Sequence, residues 1–317
     1  MLPHLNFAES NIDFLGKRRV TLVISAVLII LSLVMLATRG INFGIDFTGG
    51  TLVEVGYPEA VELDPIREVI TEGGFEGAQV QTFGTARDVL IRLPPSEDED
   101  VDEAALSNQV MQLLEAGGPE GADLRRVDFV GPSVGEELRE QGGLAMLYAL
   151  AGILIYVAVR FEWRFAAGSV LALVHDVVIT LGIFSLLQLE FDLGVLAAIL
   201  AVIGYSLNDT IVVYDRIREN FRILRKQGTE FVMNNAVNKT LARTIVTSMT
   251  TLLVLFALFF LGGAALQNFS VALIIGVLVG TYSSIFIAAT AALMLGVDRQ
   301  VLLPVKREGA DEEDSTP

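Results

Sequence analysis

The sequence predicts a polytopic α-helical membrane protein: six transmembrane helices, one followed by five, with an α+β domain between the first and the second. Three observations carry this. The chain has 317 residues, 52% of them hydrophobic, and a mean hydropathy of +0.57. The apolar residues lie in blocks, and a bilayer span needs about 20 of them. Lys and Arg cluster in alternate connectors, the pattern of a multi-pass chain.

The first block covers residues 20–38. It is too long and leucine-rich at its end for a cleaved signal peptide, and no small-x-small site follows. It reads as a retained helix that also targets the chain to the membrane. With the residues before it, it forms a first unit, 1–39.

A second unit, 40–142, alternates in character. "TLVEVGY" has period two and reads as a strand. "DPIREVITEGG" carries Pro near a helix start and Gly at its end. "AQVQTFG" and "RDVLIRLP" read as strands joined through Gly84. "EDEDVDEAALSNQVMQLLEAGG" holds an amphipathic helix whose acidic N-terminus suits the helix dipole. "ADLRRVDFVG" reads as a last strand. The order β-α-β-β-α-β is the split βαβ, ferredoxin-like arrangement, which names no function. Glycine-rich connectors flank it, "RGINFGIDFTGGT" and "FVGPSVGEELREQGG". Glycine allows close backbone approach, and packing with hinge-like motion is expected there.

Five further blocks, 143–161, 167–187, 193–214, 246–262 and 268–295, make a bundle over 143–298. An acidic tail, 299–317, follows. Lys17, Arg18 and Arg19 precede the first span. Arg160 and Arg164 lie between the second and third. Arg216, Arg218, Arg222, Arg225, Lys226, Lys239 and Arg243 lie between the fourth and fifth, and Arg299, Lys306 and Arg307 follow the sixth. "LQLEFD" and "GGAALQN" carry no Lys or Arg. The positive-inside rule then puts both termini in the cytoplasm and residues 40–142 outside it.

The formal charge is −16 and the pI about 4.5. Much of the acid sits in "PPSEDEDVDE" and "GADEEDSTP", read as solvated loops. Nucleic-acid binding wants a basic surface and is not expected. With no cysteine, a disulfide, a thiolate metal site and a Cys nucleophile are all excluded.

The stretch "IGYSLNDTIVVYDRIREN" places Asn208 and Asp209 inside an apolar run. A carboxylate there costs at least about 2.5–3.5 kcal/mol on insertion scales, and such residues usually serve function. Asp209 lies about six residues before Asp215, roughly 9 Å inside the cytoplasmic boundary. Arg243, just before the fifth span, sits at a similar depth. "TLARTIVTSMTT" puts Thr240, Thr244, Thr247, Ser248 and Thr251 on one helix face. A polar pathway through Asp209, Arg243, Thr244 and Thr247 is one reading. Hydroxyls bonding back to their own helix carbonyls is the other. In "VHDVVIT", Asp176 falls ten residues past Ala166, about 15 Å into the span. His175 lies on a neighbouring face. Adjacent helix residues do not face each other, so no His–Asp pair of catalytic type is expected, and a structural interhelical hydrogen bond is the alternative. Ala272, Gly276, Gly280, Ser284, Ala288 and Ala292 form a small-residue stripe for close helix packing.

No nucleophile–His–acid set is visible; the histidines are His4 and His175. "FTGGT" lacks the spacing and lysine of a phosphate loop. No cofactor, metal site or enzymatic activity is expected.

Together, "INFGIDFTGGT", "VGPSVGEEL", "VHDVVITLGIF", "IGYSLNDTIVVYDRIREN" and "LARTIVTSMTTL" resemble the SecF family of the RND-like superfamily, over about residues 7–300. The resemblance implies a multi-pass protein of the bacterial inner membrane with a periplasmic domain. It implies SecD, the SecYEG translocon with associated membrane subunits, and unfolded exported polypeptide as partners. It implies use of the proton motive force. Asp209 matches the family's intramembrane acid, Arg243 its polar-pathway arginine, and Asp176 the acid after histidine. Two other functions fit the residues: half of an RND-type small-molecule exporter, and a scaffold that moves no ions.

Overall fold

A computed structural model describes residues 11–95 and 103–298. His4, most of the acidic stretch at 94–103, and the tail at 299–317 lie outside the described residues.

Helix α1 (Arg18–Arg39) ends at Gly40, whose φ of +68° suits glycine. A short strand β1 (Asn42–Phe43) and one helical turn α2 (Ile45–Thr48) lead into the sheet. The sheet domain then runs β2 (Gly50–Gly56), α3 (Leu63–Glu72), β3 (Gln79–Phe83), β4 (Thr85–Leu93), α4 (Glu103–Gly117) and β5 (Asp123–Val130). The strand order is β3-β4-β2-β5, and every neighbouring pair is antiparallel. Alternation decides which face is covered. Val53, Val55, Val80, Val89 and Ile91 pack under Ile66 and Ile70 of α3 and Val110 and Leu114 of α4, all buried. The opposite face carries Leu52, Glu54, Gln79, Gln81, Leu90, Arg92, Arg126 and Asp128, which stand opposite one another in register.

The bundle comprises α5 (Pro132–Arg160), α6 (Trp163–Leu187), α7 (Leu193–Ile223), α8 (Thr229–Leu261), α9 (Gln267–Ser283) and α10 (Ala289–Met294). With α1, these give six helices long and apolar enough to cross a membrane, α9 and α10 acting as one. Helices α6, α7 and α9 form the packed centre, while α1, α5 and α8 expose most of their surface. A π-turn, Ser284–Ala288, interrupts the sixth. A π-turn widens the helix and frees a carbonyl; the Tyr214 hydroxyl donates to the Ala288 oxygen at 3.0 Å.

The expected spans were cut where charge begins, but the helices continue through it. Helix α5 starts at Pro132 and α8 at Thr229. The boundary placed at 142/143 therefore falls inside a helix, and the second glycine-rich connector is not a hinge loop. Two of its glycines serve contact: a Cβ on Gly135 would stand 2.7 Å from the Gly49 nitrogen, and one on Gly142 would stand 2.8 Å from the Leu196 side chain. The first connector is likewise built in. Strand β1 pairs in parallel with a two-residue strand β6 (Glu190–Phe191) in the turn between α6 and α7.

On the Arg-rich side, residues 12–15 are held against α8. Asn238 and Asn234 accept from the Ile12 and Phe14 amides at 2.9 and 2.8 Å, and both donate back to the Ile12 carbonyl. Arg18 pairs with Glu230 at 2.5 Å.

Candidate functional site

Helix α7 carries Asp209, and its start is fixed by charge. Asp192 caps it, accepting from the Val195 amide at 2.7 Å. Seventeen residues on, about 25 Å along the helix, Asp209 is only 3% exposed. Its Oδ2 is buried without a hydrogen-bond partner. No ion pair joins Asp209 to Arg243 among the described residues. Asn208 and Arg243 are both exposed on the outer surface of the bundle.

The hydroxyl face of α8 does two things. Thr247 donates to the Arg243 and Thr244 carbonyls at 3.0 Å, and Thr240, Thr250 and Thr251 bond back to their own helix in the same way. Thr244 is buried. Ser248 instead reaches across: it meets Thr281 of α9 at 2.7 Å and accepts from Tyr205 of α7 at 3.1 Å.

Asp176 sits apart from Arg243, in the centre of the bundle. Its Oδ2 accepts from Ser206 at 2.6 Å and Ser283 at 2.7 Å, and its Oδ1 lies 2.9 Å from His175 Nδ1. His175 Nε2 is 3.1 Å from the Ser25 hydroxyl, which meets Tyr282 at 3.0 Å. The expectation that neighbouring helix positions keep His175 and Asp176 apart is corrected. Their backbone directions diverge, yet the imidazole is long enough to turn back to the carboxylate. The group is an interhelical network in which both Asp176 oxygens and both His175 ring nitrogens have partners. Its serines and Tyr282 were missed; the available signal was small hydroxyls inside otherwise apolar blocks.

The small-residue stripe has its neighbour within this chain. A Cβ on Gly276 would stand 2.1 Å from Val202 of α7. One on Gly280 would meet Ser206 at 3.1 Å and the Asp176 carboxylate at 3.6 Å. Gly276 and Gly280 thus let α9 approach α7 closely enough for Ser283 to reach Asp176.

The family model described as "Protein export membrane protein SecD/SecF, C-terminal" matches residues 109–298, and "SecD/SecF GG Motif" matches residues 34–57. The chain belongs to the SecD/SecF family. Among SecF relatives, the protein translocase subunit SecF of Vibrio alginolyticus is 50% identical over 306 residues, covering 96% of each chain. That of Pseudomonas aeruginosa is 50% identical over 300 residues, covering 95% of this chain and 96% of the relative. That of Escherichia coli O157:H7 is 44% identical over 318 residues, covering 100% and 98%. The crystal structure of SecDF from Thermus thermophilus, described as a translocon-associated membrane protein, superposes with a TM-score of 0.81 at 39% identity. The match covers 90% of this chain and 39% of that longer one. The SecD/SecF glycine pair, Gly49 and Gly50, has φ of +71° and +117°, and a Cβ on Gly50 would stand 2.4 Å from the Leu93 oxygen. Side chains are excluded at both positions.

Proposed function

We propose that this protein is a SecF-type subunit that works with SecD to assist protein export across the bacterial inner membrane, drawing on the proton motive force through Asp209 and Arg243. The single observation that carries the proton reading is the buried Asp209 Oδ2, left without a hydrogen-bond partner. A buried carboxylate so placed has reason to bind a proton. A helix movement that alters its distance from Arg243 would alter its proton affinity. Transfer of one charge across the membrane is worth about 2.3 kcal/mol per 100 mV, enough to bias the sheet domain between two positions.

SecD partnership is supported by the exposed Asn208 and Arg243, since polar side chains of a span turn toward protein or water. It is also supported by the longer SecDF chain, of which this one spans 39%. The alternating cations support cytoplasmic termini, which makes the sheet domain periplasmic. Its strand order and one-sided helices support the ferredoxin-like description. SecYEG and unfolded polypeptide remain the proposed further partners. A recruiting scaffold loses its main support, because the glycine stripe is occupied by α7.

The test is export in a depletion strain carrying Asp209→Asn, with membrane abundance and SecD co-purification checked alongside. Export is expected to fall about tenfold or more, the order of one missing proton-transfer group, with the complex intact. Undiminished export would sink the proton reading and favour the scaffold.

A further inference from the structure

The sheet domain meets the α6–α7 turn through a joint rich in buried charge. Arg92 of β4, 8% exposed, points from the uncovered sheet face and reaches Glu190 of β6 at 2.5 Å. It also donates to the Phe43 carbonyl at 2.7 Å. Glu190 accepts from Gln81 of β3 at 3.2 Å, and its backbone carbonyl accepts from Asn268 of α9. Asp46 of α2 accepts from the Leu193 amide at 2.9 Å, beside the cap made by Asp192. The Gly44 amide donates to the Phe191 oxygen at 2.9 Å, and β1 pairs with β6. Three carboxylates, Asp46, Glu190 and Asp192, thus gather at the start of α7, and the buried Arg92 pairs with Glu190. A groove of about 500 Å³ beside them, bordered also by Arg126 and Asp128, opens this cluster to water. Arg126 and Asp128 pair with each other, Glu54 shares their sheet face, and Arg39 of α1 is engaged at the Leu186 carbonyl.

We propose that this joint is a proton-binding clasp: Asp46, Glu190 and Asp192 close against one another, with Arg92 held on Glu190, and the closed joint takes up a proton that the open joint releases. Closing shields Glu190 and Asp192 from much of the surrounding water, leaving the groove as their access to it, and brings carboxylates together. Burial, with neighbouring carboxylates adding, holds both acids above their ordinary range, and Arg92 offsets this only in part for Glu190. The acids return to ordinary values when the joint opens into water. The closed form therefore binds protons more tightly. Falling pH favours closure through the window between the raised and the ordinary carboxylate values, and rising pH favours opening. The clasp goes beyond the export reading and stands independently of Asp209. It sits at the start of α7, so its state is felt by the helix that carries that residue.

Hydrogen–deuterium exchange of the full-length protein in nanodiscs tests this, between about pH 8 and about pH 5, corrected for intrinsic rates. Protection of residues 42–46 and 188–193 is expected to rise several-fold on acidification, while the β2–β4 amides stay constant. Glu190→Gln is expected to give acid-like protection at neutral pH with a flattened pH response. Arg92→Gln is expected to open the joint at neutral pH and to regain protection in acid. Protection in the unmutated protein that is flat or falls on acidification overturns the clasp. So does a Glu190→Gln variant that keeps the full pH response. Should Arg92→Gln unfold the sheet, the near-isosteric Glu190→Gln decides alone.

Discussion

Asp209 and Asp176 are both buried carboxylates in the bundle, and their surroundings differ in kind. Asp176 has a hydrogen-bond partner at each oxygen, while Asp209 keeps its buried Oδ2 without one. Both were visible in the sequence, because charge inside an apolar block is conspicuous. Their partners were not: Ser206 and Ser283 lie 30 and 107 positions from Asp176, and Ser25 lies 150 from His175. A serine in a span has no local mark distinguishing a network member from one bonded to its own helix. The glycine stripe was legible as a packing face, but only the fold identifies Val202 as its neighbour. A Gly276→Ala change is expected to destabilise the bundle by about 1–3 kcal/mol through overpacking. Unfolding by SDS titration would measure it, and adding Val202→Ala is expected to recover most of the loss, because it removes the atoms the new methyl strikes.

Elements were legible wherever one period dominated. Strands β2 to β5 alternate, and the helix between β2 and β3 announces itself by Pro65 and the glycines after it. Two-residue strands have no period at all, so β1 and β6 left no trace in the sequence. Helix ends in α5 and α8 were obscured because hydropathy reports the solvent around a helix, and both helices run on into water-facing turns. The π-turn was also invisible, since the hydroxyl bonded at its last residue lies in another element. Tyr214 donates to the Ala288 carbonyl at the end of the turn. Tyr214→Phe is expected to cost about 1–3 kcal/mol, the loss typical of a buried polar atom deprived of its partner. Faster amide exchange over residues 284–292 would accompany it, and unchanged exchange there would remove Tyr214 from this role.

At the scale of the whole molecule, the sheet domain and the bundle are joined by two contacts at the same end of the sheet, where Leu52 of β2 pairs with Arg92 of β4. Gly49 abuts Pro132 and Gly135 at one point, and Arg92 meets Glu190 at another. The sequence showed the two units but not this joining, because it depends on the α6–α7 turn, which reads as an ordinary loop. Gly135→Leu is expected to force the start of α5 away from Gly49. Exchange at β1 and α2 should rise, with the sheet core around Val53 and Ile91 unchanged. Limited proteolysis gives a second measure, with faster cleavage expected between residues 40 and 50.

The asparagine contacts at residues 12–15 also bear on how the protein is made. Phe14 and its acceptor Asn234 are separated by 220 positions. A nascent chain emerges in order, so residues 12–15 leave the ribosome with no binding site for them yet in existence. They must wait while the sheet domain and four membrane helices are produced. Docking of the earliest segment therefore marks near-completion of the bundle, and an unfinished or truncated chain presents that segment free to the quality-control machinery.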